Sequence, residues 1–440
     1  MHFYDFDFDD DLLDGIDAMG YTTATPVQEK VIPIILSGKD LIASAQTGTG
    51  KTAAFLLPTI QNLLTHTHDA SQINSMIIVP TRELAVQIAQ VLEGMSYFTN
   101  ISSIAVYGGG DGNSFAVEKK ALSSGVDIVI CTPGRMIAHL NMGYVKLQGL
   151  KYLVLDEADR MLDMGFHDDI EKIISYLPKE RQTLLFSATM PEKMRKLALK
   201  ILKDPEQVNI AISKPPEKIV QEAFVVHEEQ KAPLIKHVLE SRRKQSVIIF
   251  CSRKQNVKQL TLLLKKAKFS VEEIHSDLEQ EKREQALLDF KNKKLNILVA
   301  TDILSRGIDI EDIDLVINYD VPNDGEDYIH RIGRTARAAT DGTAYTFITP
   351  KEQGRFSRIE QLLGHEVVKV PVPEAFGPAP VYQPKNRKSG GGGGGGNGRP
   401  GKGRGKGGNN RKFHHKHGKN NKGGGAPHKG PSSPKTSAQQ

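Results

Sequence analysis

The stretch Ala45-Gln46-Thr47-Gly48-Thr49-Gly50-Lys51-Thr52 constrains this chain more than any other. It follows a short apolar run, Asp40-Leu41-Ile42-Ala43-Ser44, and precedes a helical pattern with Phe55, Leu56, Ile60, Leu63 and Leu64 on one side. The segment therefore reads as buried strand, small-residue loop and helix start, the setting of a phosphate-cradling loop. Gly48 and Gly50 let backbone N–H groups turn toward an anion with no Cβ in the way. The helix N-terminus adds unpaired donors and partial positive charge. Lys51 brings a full charge for β- and γ-phosphates, and the Thr52 hydroxyl can face Mg²⁺. Ala45 stands where the usual pattern has its first glycine, and is still small enough for close approach.

At 440 residues the chain exceeds one core, and its length predicts two domains with further segments. The formal charge of +6 is unevenly spread: residues 385–440 hold 14 of the 58 Lys and Arg and no acid, leaving 44 bases against 52 acids on the rest. An acidic body with a basic tail predicts a polyanionic partner held partly by the tail. Cys131 and Cys251 each end an apolar run and read as buried thiols in a reducing compartment, not as a disulfide or metal site. Asp5, Asp7, Asp9, Asp10 and Asp11 stand where a signal peptide needs basic and then apolar residues, and no apolar run is long enough to span a membrane. The expectation is a cytoplasmic protein with no membrane partner.

Leu12, Leu13, Ile16 and Met19 fit a short amphipathic helix closed by Gly20, followed by a turn with Pro26 and a second helix. Short apolar runs then alternate with helical patterns. Strands are expected at 41–44, 76–79, 127–131, 152–155 and 183–186, with helices at 83–93 and 191–202 among them. Such alternation predicts a parallel sheet covered on both faces. Residues 213–218, polar with Pro215 and Pro216, read as a linker. The alternation restarts with strands at 247–251, 296–300, 315–318 and 344–348, but without a second Gly-Lys-Thr loop. Beyond Pro371 the composition turns to Gly, Lys, Arg, Asn and His, with glycine throughout 390–396, and such a segment cannot bury a core. The expected fold class is α/β, with two tandem doubly wound parallel-sheet domains at 1–212 and 219–370 and a disordered, basic, Gly-rich tail at 371–440.

Asp156-Glu157-Ala158-Asp159 follows the apolar run 152–155. Acids at the carboxyl end of a buried strand lie beside the phosphate loop of an open α/β sheet. Asp156 is then placed to hold Mg²⁺ through water, and Glu157 to orient or deprotonate an attacking water. Together with Ser187-Ala188-Thr189 after the next strand, these residues resemble the DEAD-box RNA helicases. The resemblance covers roughly residues 3–370, with the motifs in the family's order. It implies two RecA-like domains, ATP and Mg²⁺ as cofactors, and RNA as partner. It also implies a catalytic set of Lys51, Glu157, Asp159, Ser187, Thr189, His330, Arg334 and Arg337. The organisation looks most like bacterial members, the RhlE-type group among them.

Gly20-Tyr21 through Thr25-Pro26-Val27-Gln28 looks like the family's adenine-recognition motif, with Phe3 as its upstream aromatic and Ala24 in place of the usual proline. A Gln amide sets a donor beside an acceptor, which complements adenine N7 and its N6 amino group; guanine would present two acceptors. The nucleotide set implied is Phe3, Tyr21, Gln28, Ala45, Gln46, Thr47, Gly48, Thr49, Gly50, Lys51, Thr52 and Asp309, with Thr52 and Asp156 toward the metal. Pro80-Thr81-Arg82-Glu83-Leu84-Ala85, Gly108-Gly109-Gly110 and Thr132-Pro133-Gly134-Arg135 each follow an expected strand, and in the family such loops grip the RNA sugar–phosphate backbone. Charged arginines, hydroxyl donors and exposed glycine N–H groups suit that task. In the second unit the resemblance carries RNA contacts to Arg253, Gln280, Arg283, Thr301 and Asp302. His275-Ser276-Asp277 has serine where glycine is common, and His330-Arg331-Ile332-Gly333-Arg334-Thr335-Ala336-Arg337 has Ala336 in place of glycine. Arg334 and Arg337 would reach across to the γ-phosphate, as a fork that matches phosphate oxygens and stays charged.

The resulting expectation is an ATP-dependent RNA helicase that closes on ATP and RNA, strains the bound strand and opens short duplexes. The RNA would be single-stranded or a short duplex, read largely without regard to sequence. Ribosome-assembly or RNA-decay proteins are the expected partners. The same motifs would serve an RNA clamp that seldom unwinds, and comparison of strand displacement with RNA-stimulated hydrolysis separates the two. A DNA translocase is the third reading, decided by comparing RNA with DNA stimulation.

Overall fold

The computed structural model describes residues 1–45, 49–109, 112–209, 219–302, 313–335 and 342–384. The first domain holds β1 (Leu41–Ser44), β2 (Ile73–Ile78), β3 (Ser103–Val106), β4 (Val126–Cys131), β5 (Tyr152–Leu155), β6 (Gln182–Ser187) and β7 (Glu206–Asn209). They form one all-parallel sheet in the order β3-β4-β2-β5-β6-β1-β7. The second domain holds β8 (Ile219–Val225), β9 (Val247–Phe250), β10 (Val271–Ile274), β11 (Ile297–Ala300), β12 (Leu315–Asn318), β13 (Gly342–Ile348) and β14 (Val368–Lys369). Its order is β10-β11-β9-β12-β13-β8-β14, again all parallel. Each second-sheet strand stands where its counterpart seven numbers earlier stands in the first. The two domains thus repeat one RecA-like topology.

β2, β4, β5 and β6 are buried along their whole length, as strands covered on both faces must be. Their side chains alternate between two apolar layers: Ile77, Val154, Leu184 and Phe186 join Phe55 and Leu56 on one face, while Met76, Ile78, Leu153 and Leu185 join Met161 and Leu197 on the other. Local signals set the entry to the site. Asp9 caps the helix Asp10–Ala18, and Gly20 turns the chain at φ +73°. Thr25 and Gln28 form a capping box around Pro26 at the start of the helix Pro26–Leu36.

The expected tail boundary is corrected. Residues 371–384 lie along the second domain rather than beginning the tail. Gln230 Nε2 donates to the carbonyls of Phe376 at 2.8 Å and Pro378 at 3.1 Å. Gln353 Nε2 donates to Val381 O, Gln383 N returns a bond to Gln353 Oε1, and the Tyr382 hydroxyl donates to Glu360 at 2.6 Å. Spaced anchors, Val372, Phe376 and Tyr382 together with the bonds of Gln230 and Gln353, hold this strap. The linker 213–218 and residues 385–440 lie outside the described residues. Among the described residues no helix is long and apolar enough to cross a membrane.

Candidate active site

In a parallel sheet every strand ends on the same edge, and ligands bind in the loops there. Strand order divides this edge in the first domain. The neighbours β5, β6 and β1 deliver Asp156-Glu157, Ser187 to Thr189, and Ala45. The neighbours β3, β4 and β2 deliver Gly108-Gly109, Thr132 to Arg135, and Pro80 to Arg82. At about 4.8 Å per strand, the centres of the two halves lie about 14 Å apart.

In the first half, Gly50 has φ +89° and caps the helix Lys51–Thr65. A Cβ there would come within 2.6 Å of Gln28 Nε2, so glycine is needed for space as well as conformation. Gln28 is 1% exposed; its Oε1 accepts from Thr25 N at 2.8 Å and its Nε2 donates to Gly50 O at 3.0 Å. Thr25 Oγ1 also donates to Thr49 O at 2.8 Å. The amide is therefore tied to the loop before Lys51, and one of its N–H groups and one lone pair are left over by these bonds. Tyr21 is half-buried. Phe3 is 1% exposed and meets Tyr21 edge-on at 6.2 Å, so it backs Tyr21 rather than offering a face of its own.

Lys51 and Asp156 are both buried. Burial pushes the Asp156 carboxyl up to about 6, against the pull of the Lys51 ammonium. Glu157 adopts a left-handed backbone at φ +49°, and its N–H donates to Asp156 Oδ1 at 2.9 Å. Its Oε2 is buried with no hydrogen-bond partner among the described residues, with Arg160 Nη1 at 3.8 Å. Asp159 binds the next loop: Thr189 N and Oγ1 donate to its Oδ2 at 3.0 and 3.1 Å, while Ser187 Oγ donates to Thr189 O at 2.7 Å.

In the second half, Thr81 caps the helix Arg82–Met95 through Leu84 N, and Pro80 is buried beneath it. Gly109 has φ +97°, and a Cβ there would strike Arg82 Nη1. Burial, then the charge of Arg283, with Arg135 adding to it, pull the Arg82 pKa down. Arg82 thus stands near two other arginines, each held by its own acid, Arg283 by Glu83 and Arg135 by Glu118. Thr132 is half-buried at the end of β4.

The second domain meets this edge directly. Arg283 Nη1 pairs with Glu83 Oε1 at 2.5 Å, both side chains 7% exposed. Arg160 Nη2 donates to Asp302 O at 2.9 Å. Asp302 in turn accepts from Arg331 Nε at 2.7 Å, and the fully buried Arg331 also donates to Asn318 Oδ1 and Asp320 O. His330 and Arg334 are each 4% exposed on or just after the helix Gly325–Ile332. Thr301 follows β11, Gln280 bonds Glu284, and Arg253 is exposed at the start of the helix Lys254–Lys266. Gln46, Thr47, Gly48, Gly110, Asp309, Ala336 and Arg337 lie outside the described residues.

The repeat explains why one nucleotide cradle suffices. In the second domain Lys231 follows β8 as Lys51 follows β1, and Asp320 follows β12 as Asp156 follows β5. Lys231 is 1% exposed and its Nζ is 2.8 Å from Asp320 Oδ1. An internal ion pair occupies the place where the first domain keeps its lysine and acid apart.

Sequence reasoning missed Glu83, Arg160 and Arg331 as site residues. Arg160 adjoins a recognised motif and Arg331 sits inside one, but nothing in their spacing announces a partner 142 or 29 residues away.

A family model described as DEAD/DEAH box helicase matches residues 25–197, and one described as Helicase conserved C-terminal domain matches residues 230–339. The ATP-dependent RNA helicase CshA of Listeria monocytogenes is 43% identical over 360 residues, 82% of this chain and 68% of that protein. S. cerevisiae Dbp5 bound to RNA and ADP BeF3 is similar at a TM-score of 0.76 and 30% identity, over 85% of this chain and 96% of that one. Mss116p bound to ssRNA and AMP-PNP is similar at 0.75 and 31% identity, over 85% and 80%.

Proposed function

From the premise that this chain belongs to the DEAD-box ATP-dependent RNA helicases, enzymes that hydrolyse ATP, we propose a division of labour along its two sheet edges. Tyr21 and Gln28 read adenine; Gly50, Lys51 and the loop before them hold the phosphates. Asp156 and Thr52 hold Mg²⁺. The site suits that ion: a buried carboxylate pushed up to about 6 is short of counter-charge even beside Lys51, and no cluster of three His, Cys, Asp or Glu among the described residues could cage a metal. Mg²⁺ takes few protein ligands and is completed by phosphate and water. It would neutralise phosphate charge.

Glu157 aims its unpartnered oxygen at the attacking water. Asp159 holds Ser187 and Thr189 in register with that acid. Arg334 and Arg337 come from the second domain, so the hydrolytic site is complete only when the domains meet. The arginine-lined half takes the RNA backbone, single-stranded or short duplex, largely irrespective of sequence. Closure bends the held strand and separates short duplexes. The domains run 1–212 and 219–384, and the basic segment 385–440 adds RNA affinity through counterion release.

The carrying observation is the pair of bonds across the cleft, Arg160 to Asp302 and Arg283 to Glu83, which joins the acid motif and the RNA loops of one sheet to the RNA loops of the other. The reading places the protein in the cytoplasm, beside ribosome-assembly or RNA-decay proteins; crosslinking to cellular RNA and identifying what co-purifies tests that setting. The chemistry is tested by Glu157→Gln, which should keep ATP and RNA binding and lose roughly 10²- to 10⁴-fold in hydrolysis. Near-normal turnover would give the water to another group.

A further inference from the structure

The helix that presents Arg135 carries a buried network that the ATP chemistry does not use. Glu118, on the neighbouring helix Gly112–Ser124, is 5% exposed. Its Oε2 accepts from Arg135 Nε at 2.7 Å and from His139 Nε2 at 2.7 Å. His139 is fully buried, and its Nδ1 bonds the Tyr144 hydroxyl. A neutral imidazole satisfies both contacts, donating from Nε2 and accepting at Nδ1. Phe115, one turn before Glu118, covers both partners. Its ring stacks on His139 at 4.4 Å and 14°, and the Arg135 guanidinium carbon lies 4.6 Å from its centroid.

A buried carboxylate persists only where it is paired and hydrogen-bonded. This one directs its paired oxygen to Arg135 Nε, and the Arg135 side chain keeps 15% of its surface exposed. An arginine held at Nε and stacked on a ring has already lost the rotamer freedom that phosphate binding would otherwise remove. The carboxylate's charge by itself weakens attraction for a phosphate. Its benefit to binding is therefore placement.

We propose that Glu118 is a positioning residue for RNA binding: with Phe115 and His139 it fixes the Arg135 guanidinium so that its exposed part meets a backbone phosphodiester of single-stranded RNA. This rests on the reading of Arg135 as an RNA contact. In the full chain, the RNA concentration for half-maximal stimulation of ATP hydrolysis is measured together with kcat at saturating RNA. Glu118→Leu should raise that concentration about tenfold with kcat unchanged. Glu118→Gln, whose amide oxygen can accept both hydrogen bonds without charge, should stay within about twofold of the parent. Glu118→Asp keeps the charge but falls short, and should behave as Glu118→Leu. In an Arg135→Ala background, Glu118→Leu should add nothing further, because both changes remove one interaction. ATP affinity without RNA reports that the first domain is intact in each variant.

If Arg135→Ala weakens RNA binding while Glu118→Leu and Glu118→Asp do not, the positioning role is wrong. Losses that add in the double variant, or a weakened Glu118→Gln beside a normal Glu118→Asp, overturn it too. If Arg135→Ala leaves RNA binding unchanged, the RNA assignment of Arg135 fails, and the proposal with it.

Discussion

Gln28 shows how much one side chain can join. Its amide accepts from the backbone that starts its own helix and donates to the carbonyl of Gly50, so the base recognition proposed for it would be tied to loop geometry. The remaining N–H and lone pair suit adenine, and guanine would leave them mismatched. A site with buried polar groups rejects a ligand that cannot pair with them far more strongly than an apolar pocket rejects a missing methyl. The kcat/KM for ATP should therefore exceed that for GTP by at least about 100-fold in the RNA-bound enzyme. Gln28→Ala should lower ATP turnover and narrow the gap. Similar values for the two nucleotides in the parent protein would remove Gln28 from base recognition. At this scale the sequence exposed residue types well, because Gly-Lys-Thr and the acid motif are contiguous. It did not expose Arg331, which sits inside a recognised arginine run yet serves as a buried clamp on Asp302 and Asp320.

Among elements, the inner strands β1, β2, β4, β5, β6, β9, β11, β12 and β13 were legible because burial on both faces makes them near-continuous apolar runs. The misses share a cause. β3, β7, β10 and β14 lie at the sheet edges and are only partly buried, with Glu272 and Glu273 at the centre of β10 and Glu206 and Gln207 opening β7. Gln221 and Glu222 hid β8 in the same way. The strap 371–384 was hidden because its anchors are too widely spaced to form a period and it runs directly into the Gly-rich segment. Its bonds predict a separation of roles on truncation. A chain ending at 384 should keep the thermal stability of the full protein while its RNA affinity falls. Its salt dependence should also become shallower, by about 0.7 in log–log slope for each single-strand phosphate that the basic segment no longer neutralises. A chain ending at 370 should in addition lose about 2 kcal/mol or more of second-domain stability, because the bonds of Gln230 and Gln353 and the packing of Phe376 and Tyr382 go with the strap. Equal melting temperatures for the two truncated chains would show the strap to be stability-neutral.

Over the whole molecule, the repeat of one topology decides what each half can do. The first sheet keeps a buried lysine and acid without an ion pair between them, which the proposed function gives to the nucleotide; the second pairs Lys231 with Asp320 internally. The two-domain plan was readable from the restart of alternation after residue 218. The facing of the two edges was not, because it depends on pairs 142 and 200 residues apart. If the ATP and RNA halves are coupled through these bonds, each ligand must tighten the other by the same factor. The most direct measurement is the affinity of the full chain for single-stranded RNA, at fixed salt, with and without a saturating non-hydrolysable ATP analogue, paired with analogue affinity with and without RNA. The prediction is a reciprocal tightening of about tenfold or more in both directions, abolished when Arg160 and Arg283 are both replaced by alanine. RNA affinity that is indifferent to the analogue in the unaltered protein would contradict a site completed across the two domains.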